Sequence, residues 1–159
     1  MSFSDSSDEH KKVNDWLRIL GDRVRLSLKL DEEGLCAVGH LSGIDCALEV
    51  PEGCGKLYLR APLLPLGTNS EAALRFCMSK HFLGVSTGGA IFAIDPQDDM
   101  IVLWQARDLE GLELETFAVL LIDFFEAAQH WKDELQTLPP SQVIPSSEMN
   151  RFNLIAMRA

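Results

Sequence analysis

A stretch with the sequence HFLGVSTGGAIF, at positions 81–92, contains the residue types of two different chemistries. Its segment GVSTG, at positions 84–88, fits the G-x-S-x-G pattern that holds the nucleophilic serine of many hydrolases. Its glycines are also typical of a loop that surrounds a phosphate group. Both kinds of site depend on the neighbouring elements, since the serine needs a strand before it and a helix after it, and the phosphate needs a helix N-terminus.

The elements predicted around this stretch have the reverse order. Apolar residues at helical spacing predict a helix over about residues 70–82, and a strand is predicted over residues 90–94. We therefore interpret the stretch as a turn, in which Gly84 ends the helix in the left-handed conformation and Gly88 and Gly89 allow close backbone approach. An esterase that uses Ser86 stays open as a third hypothesis, although the sequence identifies no Asp/His pair for it.

Other reactive residue types are scattered along the chain. The four cysteines include no C-x-x-C pair and the four histidines have no metal-ligand spacing, so we predict no metal and no cofactor. His81 and Cys77 lie on the apolar side of the second predicted helix, where packing is a simpler explanation than catalysis. Because the sequence contains no catalytic set, we predict that the protein is not an enzyme.

Length and charge narrow the class of protein. The chain has 159 residues, 47% of them apolar, which is enough for one domain with a sizeable core. Its 24 acidic and 14 basic residues give a net charge of -10, which repels nucleic acid and anionic lipid. The longest apolar run, Phe117 to Ile122, is too short to cross a bilayer, and no signal peptide is recognised. We expect a cytoplasmic protein that binds polypeptides and does not insert into membranes.

The hydrophobic period predicts an α+β fold with the order α-β-β-β-α-β-β-α, in which helices pack on a twisted antiparallel sheet. The first helix is expected to end at Gly21, and Pro62 and Pro65 are expected to end the third strand. The first three strands form a predicted meander and the last two form a hairpin. The predicted helices cover about residues 7–21, 70–82 and 114–135, and the predicted strands are centred at 35–41, 44–50, 56–61, 90–94 and 101–107.

These elements define one predicted domain at residues 8–136. Residues 1–7 form a predicted flexible leader, and residues 137–159 form a Pro/Ser-rich tail that we expect to be mostly mobile. The alternative is that the apolar end of the tail docks on the domain. This end contains Phe152, Leu154, Ile155 and Met157.

Three stretches of the chain resemble one protein family. Residues 57–63 (LYLRAPL) are similar to its third strand with an apolar-Y-A-P-L end, and residues 83–90 are similar to its helix-to-strand turn. The final helix, with the aromatic residues of positions 124–131, is similar to its closing helix. With the element order, these stretches make residues 8–136 resemble the type III secretion chaperones of the Tir-chaperone (CesT-like) family. Arg60 departs from the pattern, since the family often has an aromatic residue there.

The resemblance implies a homodimeric class I effector chaperone of a bacterium. Such a protein binds the N-terminal segment of one or a few secreted effectors as an extended chain and keeps it soluble and competent for export without ATP. The secretion ATPase becomes a candidate further partner. An interaction module or a small-ligand-binding regulatory module unrelated to secretion remains the alternative for the same α+β fold.

The resemblance also assigns two surfaces. A client-binding groove is expected on the first helix and the early strands, although packing against the sheet explains some of these residues equally well. A dimer interface is expected on the second helix and the hairpin, and the strand at 101–107 supports it because that strand is apolar on both faces. The groove residues are Val13, Trp16, Leu17, Leu20, Leu26, Leu28 and Val38. The interface residues are Leu74, Met78, Phe82, Ile91, Val102 and Trp104.

Overall fold

The computed structural model describes residues 8–39, 44–67, 70–84 and 86–138, and it confirms the predicted α+β order. A short 3-10 turn at Phe82–Gly84 follows the second helix. The helices are α1 (Asp8–Val24), α2 (Ser70–His81) and α3 (Leu114–Gln136). The strands are β1 (Leu35–Gly39), β2 (Asp45–Glu49), β3 (Lys56–Pro65), β4 (Ile91–Asp95) and β5 (Met100–Asp108).

The five strands form one antiparallel sheet with the order β1-β2-β3-β5-β4. The first three strands form the predicted meander, and β4 and β5 form the predicted hairpin. β5 also pairs along β3, from Lys56 opposite Asp108 to Pro65 opposite Met100, and so joins the hairpin to the meander. β1 and β4 are therefore the two edge strands of the sheet, at opposite sides of the molecule.

The first helix was predicted to end at Gly21, but it continues to Val24. A glycine is needed at this position because the chain folds back onto the helix: the Leu26 amide donates a hydrogen bond of 2.9 Å to the Gly21 carbonyl. A side chain at Gly21 would collide with the Leu26 carbonyl. The reversal itself occurs at Arg25, which has a left-handed φ of 59°.

The third strand also runs further than predicted, through Pro62 to Pro65. Proline removes a backbone donor, and strands tolerate it where the ladder is irregular. Such an irregularity is present here, since the register between β3 and β5 shifts between Pro62 and Leu64. The bulge therefore lets the strand continue past the residues that were expected to break it.

The core lies between one face of the sheet and the helices. The inward side chains of β3 and β5 are almost completely buried, and α3 covers them with the apolar side that its periodicity predicts. Ring contacts connect the layers, with a centroid distance of 5.0 Å between Trp16 of α1 and Phe117 of α3 and of 5.4 Å between Phe92 of β4 and Trp131 of α3. Each such side chain stabilises the fold by about 1.5–3 kcal/mol through burial.

The predicted leader and residues 139–159 of the predicted tail lie outside the described residues. The division into leader, domain and tail therefore stays a prediction. Of the tail, Thr137 and Leu138 are described: Thr137 ends α3, and Leu138 packs on the core as a partly buried residue.

Candidate functional site

The predicted groove residues differ widely in how much surface they offer. Val13 and Leu17 are 0% exposed, and Trp16 and Val38 are also buried, so these four side chains form part of the core in the single chain. Leu20 and Leu28 are partly buried against that core. Only Leu26 of the predicted set is well exposed, at 51%, and it lies next to the exposed Val24.

Leu26 belongs to an irregular segment, residues 25–30, that connects α1 to the turn before β1. The segment is fixed at both ends: the Leu26 amide bonds to Gly21, and the Leu30 amide donates to the Asn14 side-chain oxygen at 2.8 Å. Between these ends, the backbone of Ser27 and Leu28 makes no hydrogen bond with any residue that the structure describes. Free backbone groups at a surface can pair with an added strand.

Basic side chains surround this segment. We define the basic-apolar surface as Val24 and Leu26 with the partly buried Leu20 and Leu28, together with the nearby basic residues. An open cleft of about 240 Å³ runs through it, lined by Arg18, Asp22, Arg25 and the backbone around Ser27. In a chain of net charge -10, four basic residues and one acidic residue between positions 18 and 29 form a local positive region. The basic residues are Arg18, Arg23, Arg25 and Lys29.

The predicted interface residues also divide by exposure. Met78 and Phe82 lie exposed at the end of α2, whereas Leu74 and Trp104 are partly buried and Val102 is buried. The structure adds residues that the sequence prediction missed, since Leu83 is 80% exposed and Ile94 is exposed on the edge strand. We define the α2–β4 surface by its exposed members, which are Met78, Phe82, Leu83, Ile91 and Ile94.

Backbone geometry explains why two large side chains project from the end of α2. Leu83 and Gly84 have left-handed φ values of 63° and 65°, so the chain leaves the helix axis and turns towards β4. A leucine in this conformation is uncommon, and it persists when its surroundings impose it. The arrangement leaves Phe82, 75% exposed, and Leu83 with almost no cover from their own chain.

The outer face of the sheet next to this surface is partly closed. Trp104 of β5 lies between Arg60 of β3 and Ile91 of β4, and the Arg60 guanidinium bonds to the Asp95 carboxylate at the end of β4. Val102 is already covered within the single chain, so the two apolar faces of β5 do not by themselves require a second subunit. The case for a dimer interface therefore depends on the exposed residues of the α2–β4 surface.

Residues 86–89 form a turn, as predicted, because α2 and its 3-10 turn precede them and β4 follows them. Gly88 has a φ of 61° and open space around it, so its left-handed backbone explains the glycine, not the close approach that we expected. Ser86, Asp123 and His130 line one cleft, but no hydrogen bond joins them among the described residues. Asp123 and His130 are two helical turns apart, about 10 Å along α3, which is too far for the Asp–His contact of a triad.

The thiols behave as structural residues. Cys36, Cys46 and Cys77 are buried and Cys54 is exposed, all four without a disulfide. Burial raises the pKa of Cys46 to about 12 and that of Cys77 to about 11, which keeps both thiols protonated at neutral pH. In the described segments, no group of three or more histidine, cysteine or carboxylate side chains could hold a metal ion. No helix in those segments is both long and apolar enough to cross a membrane.

The model of the Tir chaperone protein (CesT) family matches residues 16–132, which is most of the chain. The protein therefore belongs to the Tir chaperone protein (CesT) family. No curated protein sequence matches the chain.

Solved structures share this fold at low sequence identity. The crystal structure of the ExsC–ExsE complex matches with a TM-score of 0.66 and 24% identity over 86% of this chain and 100% of that chain. The HopA1–SchA chaperone–effector complex matches with a TM-score of 0.63 and 16% identity over 80% and 98% of the two chains. YbjN from E. coli, described as a candidate transcription regulator, matches with a TM-score of 0.56 and 18% identity over 81% and 95%.

Proposed function

We propose that this protein is a type III secretion chaperone that works as a homodimer in the bacterial cytoplasm. It binds the N-terminal segment of one or a few effectors as an extended chain and keeps that segment soluble and ready for export without ATP. Membership of the CesT family supports the chaperone role. The single observation that carries the rest is that an acidic chain exposes two separate apolar surfaces, one on α2 and the edge strand β4 and one at the end of α1 and in the segment after it.

The α2–β4 surface is assigned to the dimer. Its exposed side chains include one phenylalanine, one methionine and three aliphatic residues, and apolar and aromatic anchors of this kind dominate stable interfaces. β4 is an edge strand, and a second copy that packs beside it would cover its free edge. The other predicted interface residues are less exposed: Leu74 and Trp104 are partly buried, and Val102 is buried on the same strand as Trp104.

The basic-apolar surface is assigned to the client. Leu26 and Val24 offer apolar contact, and the free backbone of Ser27 and Leu28 offers pairing to an extended chain. The remaining predicted groove residues hold this surface in place, because Val13, Trp16 and Leu17 fix α1 against the core. The proposal includes no catalytic step, and it leaves the secretion ATPase as a candidate partner of the loaded complex.

The test is native mass spectrometry of the tagged protein, purified gently from its own host. We expect a mass of two chains plus one polypeptide, and limited proteolysis should map the retained segment to the N-terminal part of that polypeptide. The variant Leu26→Asp should retain less of the polypeptide than the matched variant Val119→Asp, whose residue is similarly exposed on α3. A monomer that retains no polypeptide would contradict the proposal.

One observation favours a second function. The fold is shared with YbjN, which is described as a candidate transcription regulator. The same architecture therefore also occurs in a protein with a different described role. As a regulatory module, the protein would retain a folded partner or a small molecule, and the proteolysis pattern of a polypeptide partner would be that of an intact domain. The same mass measurement separates this outcome from an extended client.

A further inference from the structure

The outer side of α3 exposes two apolar residues that belong to neither the α2–β4 surface nor the basic-apolar surface. Val119 and Ile122 are 55% and 57% exposed. They lie three positions apart on the helix, so their side chains are neighbours on its surface. The core does not use them, because the buried side chains of α3 lie on its other side. A pair of exposed apolar neighbours, unlike a single exposed residue, is a candidate contact surface.

Acidic side chains surround this pair. Glu115 lies four residues before Val119, and Glu126 lies four residues after Ile122, so one carboxylate stands about one helical turn beyond each end of the pair. Asp123 is the third, four residues after Val119. All three are exposed, and none forms a hydrogen bond or an ion pair within the part of the chain that the structure describes. We define the acidic-apolar surface as these five residues.

The chain itself contains a segment of matching character beyond the described residues. Positions 151–158 have the sequence RFNLIAMR, in which five apolar residues and one asparagine lie between two arginines. We call these positions the tail segment. Its apolar residues match the exposed pair on α3, and an arginine at each end matches the carboxylates around that pair, since guanidinium groups bind carboxylates through paired N–H donors.

The linker between α3 and the tail segment is long enough for this contact. Ile122 lies 14 residues before Gln136, the last residue of α3, so the distance back along the helix is about 21 Å. The linker of residues 139–150 has 12 residues and can span about 40 Å. The tail segment can therefore reach the acidic-apolar surface of its own chain, and closing a chain of this length costs little extra entropy.

Charge decides between the exposed apolar surfaces as sites for the tail segment. The basic-apolar surface contains four basic residues and one acidic residue at positions 18–29, so it repels both arginines. At the α2–β4 surface, the Asp95 carboxylate is already bonded to Arg60. Positions 108–126, which include the acidic-apolar surface, contain six acidic residues and no basic residue. Opposite charges of this kind favour one docking site over the others.

We propose that the tail segment docks on the acidic-apolar surface of its own chain, with its apolar residues on Val119 and Ile122 and its arginines on the surrounding carboxylates. The inference does not depend on the proposed chaperone function, because both partners belong to one chain. The contact covers the exposed pair on α3. It also keeps an apolar segment away from the client, and a released tail segment does not compete for the basic-apolar surface, because that surface repels its arginines.

The test measures the rate of trypsin cleavage after Arg151 in the protein of residues 1–159, with the products identified by mass spectrometry. Docking protects this bond, so the rate follows the undocked population. The variant Val119→Asp/Ile122→Asp should raise the rate about 10-fold, which corresponds to about 1.4 kcal/mol of docking free energy. The matched control Val24→Asp/Leu26→Asp changes two similarly exposed apolar residues of the basic-apolar surface and should leave the rate unchanged.

A second variant tests the charges separately from the apolar contact. Glu115→Gln/Glu126→Gln keeps the shape of both side chains and should raise the rate of cleavage about 2- to 5-fold, as expected for exposed ion pairs. The control Glu32→Gln/Glu33→Gln removes two carboxylates from the exposed turn before β1 and should have no effect. Equal rates in the wild type and in both variants of α3 would overturn the inference.

NMR of the methyl groups locates the tail segment directly. The signals of Val119 and Ile122 should differ between the wild type and the variant Phe152→Ser/Ile155→Ser, because the ring of Phe152 is lost from their surroundings. If the signals of Leu26 change instead, the tail segment occupies the client surface and the inference is wrong. A wild-type rate of cleavage that falls as the protein concentration rises would place the segment on a second copy and would also contradict docking within one chain.

Discussion

The two apolar surfaces assigned to the dimer and to the client differ in character. The α2–β4 surface exposes Phe82 and Leu83 at 75% and 80%, and the Asp95 carboxylate at the end of β4 is bonded to Arg60. The basic-apolar surface, at the end of α1 and in the segment after it, exposes smaller side chains between several basic residues. A surface of large apolar groups suits a permanent contact, whereas a mixture of apolar and charged groups with free backbone suits a reversible one.

This difference indicates how one small domain can bind two partners at separate surfaces. In the proposed dimer, the strong contact joins identical copies through the α2–β4 surface and leaves the basic-apolar surface of each copy free. Because the two surfaces have no residue in common, a change in one should leave the other intact. The predictions below test this independence.

The largest effect is expected at the α2–β4 surface. The double variant Met78→Asp/Phe82→Asp places two charges in the proposed interface, and its dimer dissociation free energy should fall by about 4 kcal/mol or more, since central interface residues contribute about 2 kcal/mol or more each. Analytical ultracentrifugation at micromolar concentration should then show a monomer.

The matched control for this variant is Val119→Asp/Ile122→Asp, which changes two equally exposed apolar residues on α3. It should remain a dimer. If both double variants give the same mass as the wild type, the α2–β4 surface does not form the dimer. The proposed difference in role between the α2–β4 surface and the basic-apolar surface is then wrong.

The second effect separates the core residues of the predicted groove from its surface. Leu17→Ala should lower the free energy of unfolding by about 3 kcal/mol, because it leaves a cavity under α1. Leu26→Ala should change the free energy of unfolding by less than about 0.5 kcal/mol and weaken the client by about 1 kcal/mol. Urea unfolding and titration of the client segment measure the two quantities.

A result in which Leu26→Ala destabilises the fold as much as Leu17→Ala would place Leu26 in the core of the protein in solution. The assignment of the client surface would then move away from residues 25–30. Ile122→Ala, on the exposed side of α3, serves as the reference for an apolar surface residue outside the α2–β4 and basic-apolar surfaces.

The sequence predicted the elements well because their periodicity is strong. The apolar stripe of α3 and the alternation of β2 and β3 leave few other arrangements, and the turn at residues 86–89 follows from its position between a helix and a strand. The predicted end of α1 was wrong. Gly21 is required because the chain returns to it at Leu26, and no local sequence pattern shows this contact.

For a similar reason, the sequence could not show which residues of the candidate site are buried and which are exposed. Leu17 and Leu26 have the same side chain, and only the path of residues 25–30 decides that one is buried and the other exposed. Leu83 was missed because its exposure depends on a left-handed backbone that leucine rarely adopts.

A smaller effect concerns the buried thiols, of which Cys46 lies on β2 and Cys77 on α2. Burial raises their pKa values in the folded state to about 12 and about 11, so only the unfolded chain loses these protons as the pH rises above about 9. Their contribution to stability is fully present below pH 9. It is lost above that value, by up to about 1.4 kcal/mol per pH unit for each thiol, until the folded pKa is reached.

Urea unfolding at pH 7.5 and pH 10 measures this loss of stability. The variants Cys46→Ala and Cys77→Ala show how much of the loss belongs to each thiol. Each variant should lose less stability than the wild type over this range of pH. Ser79→Ala is the control, because this exposed hydroxyl does not ionise over this range of pH and its loss should leave the pH dependence unchanged. Equal pH dependence in all four proteins would show that the thiols do not titrate differently on unfolding.

The smallest effect tests the charge of the basic-apolar surface. Exposed charges contribute about 0.3–1 kcal/mol each, so Arg18→Ala and Arg25→Ala should each raise the Kd of the client about 2- to 5-fold at low salt, and 0.5 M NaCl should abolish the difference by screening. The dimer should not respond to salt, since the α2–β4 surface is apolar. Arg75→Ala, which removes an equally exposed cation paired with Glu71 on α2, distinguishes local charge from net charge. Arg75→Ala could weaken client binding as much as Arg25→Ala does. In that case client binding depends on the net charge of the whole chain, and the positive region at residues 18–29 has no special role in recognition of the client.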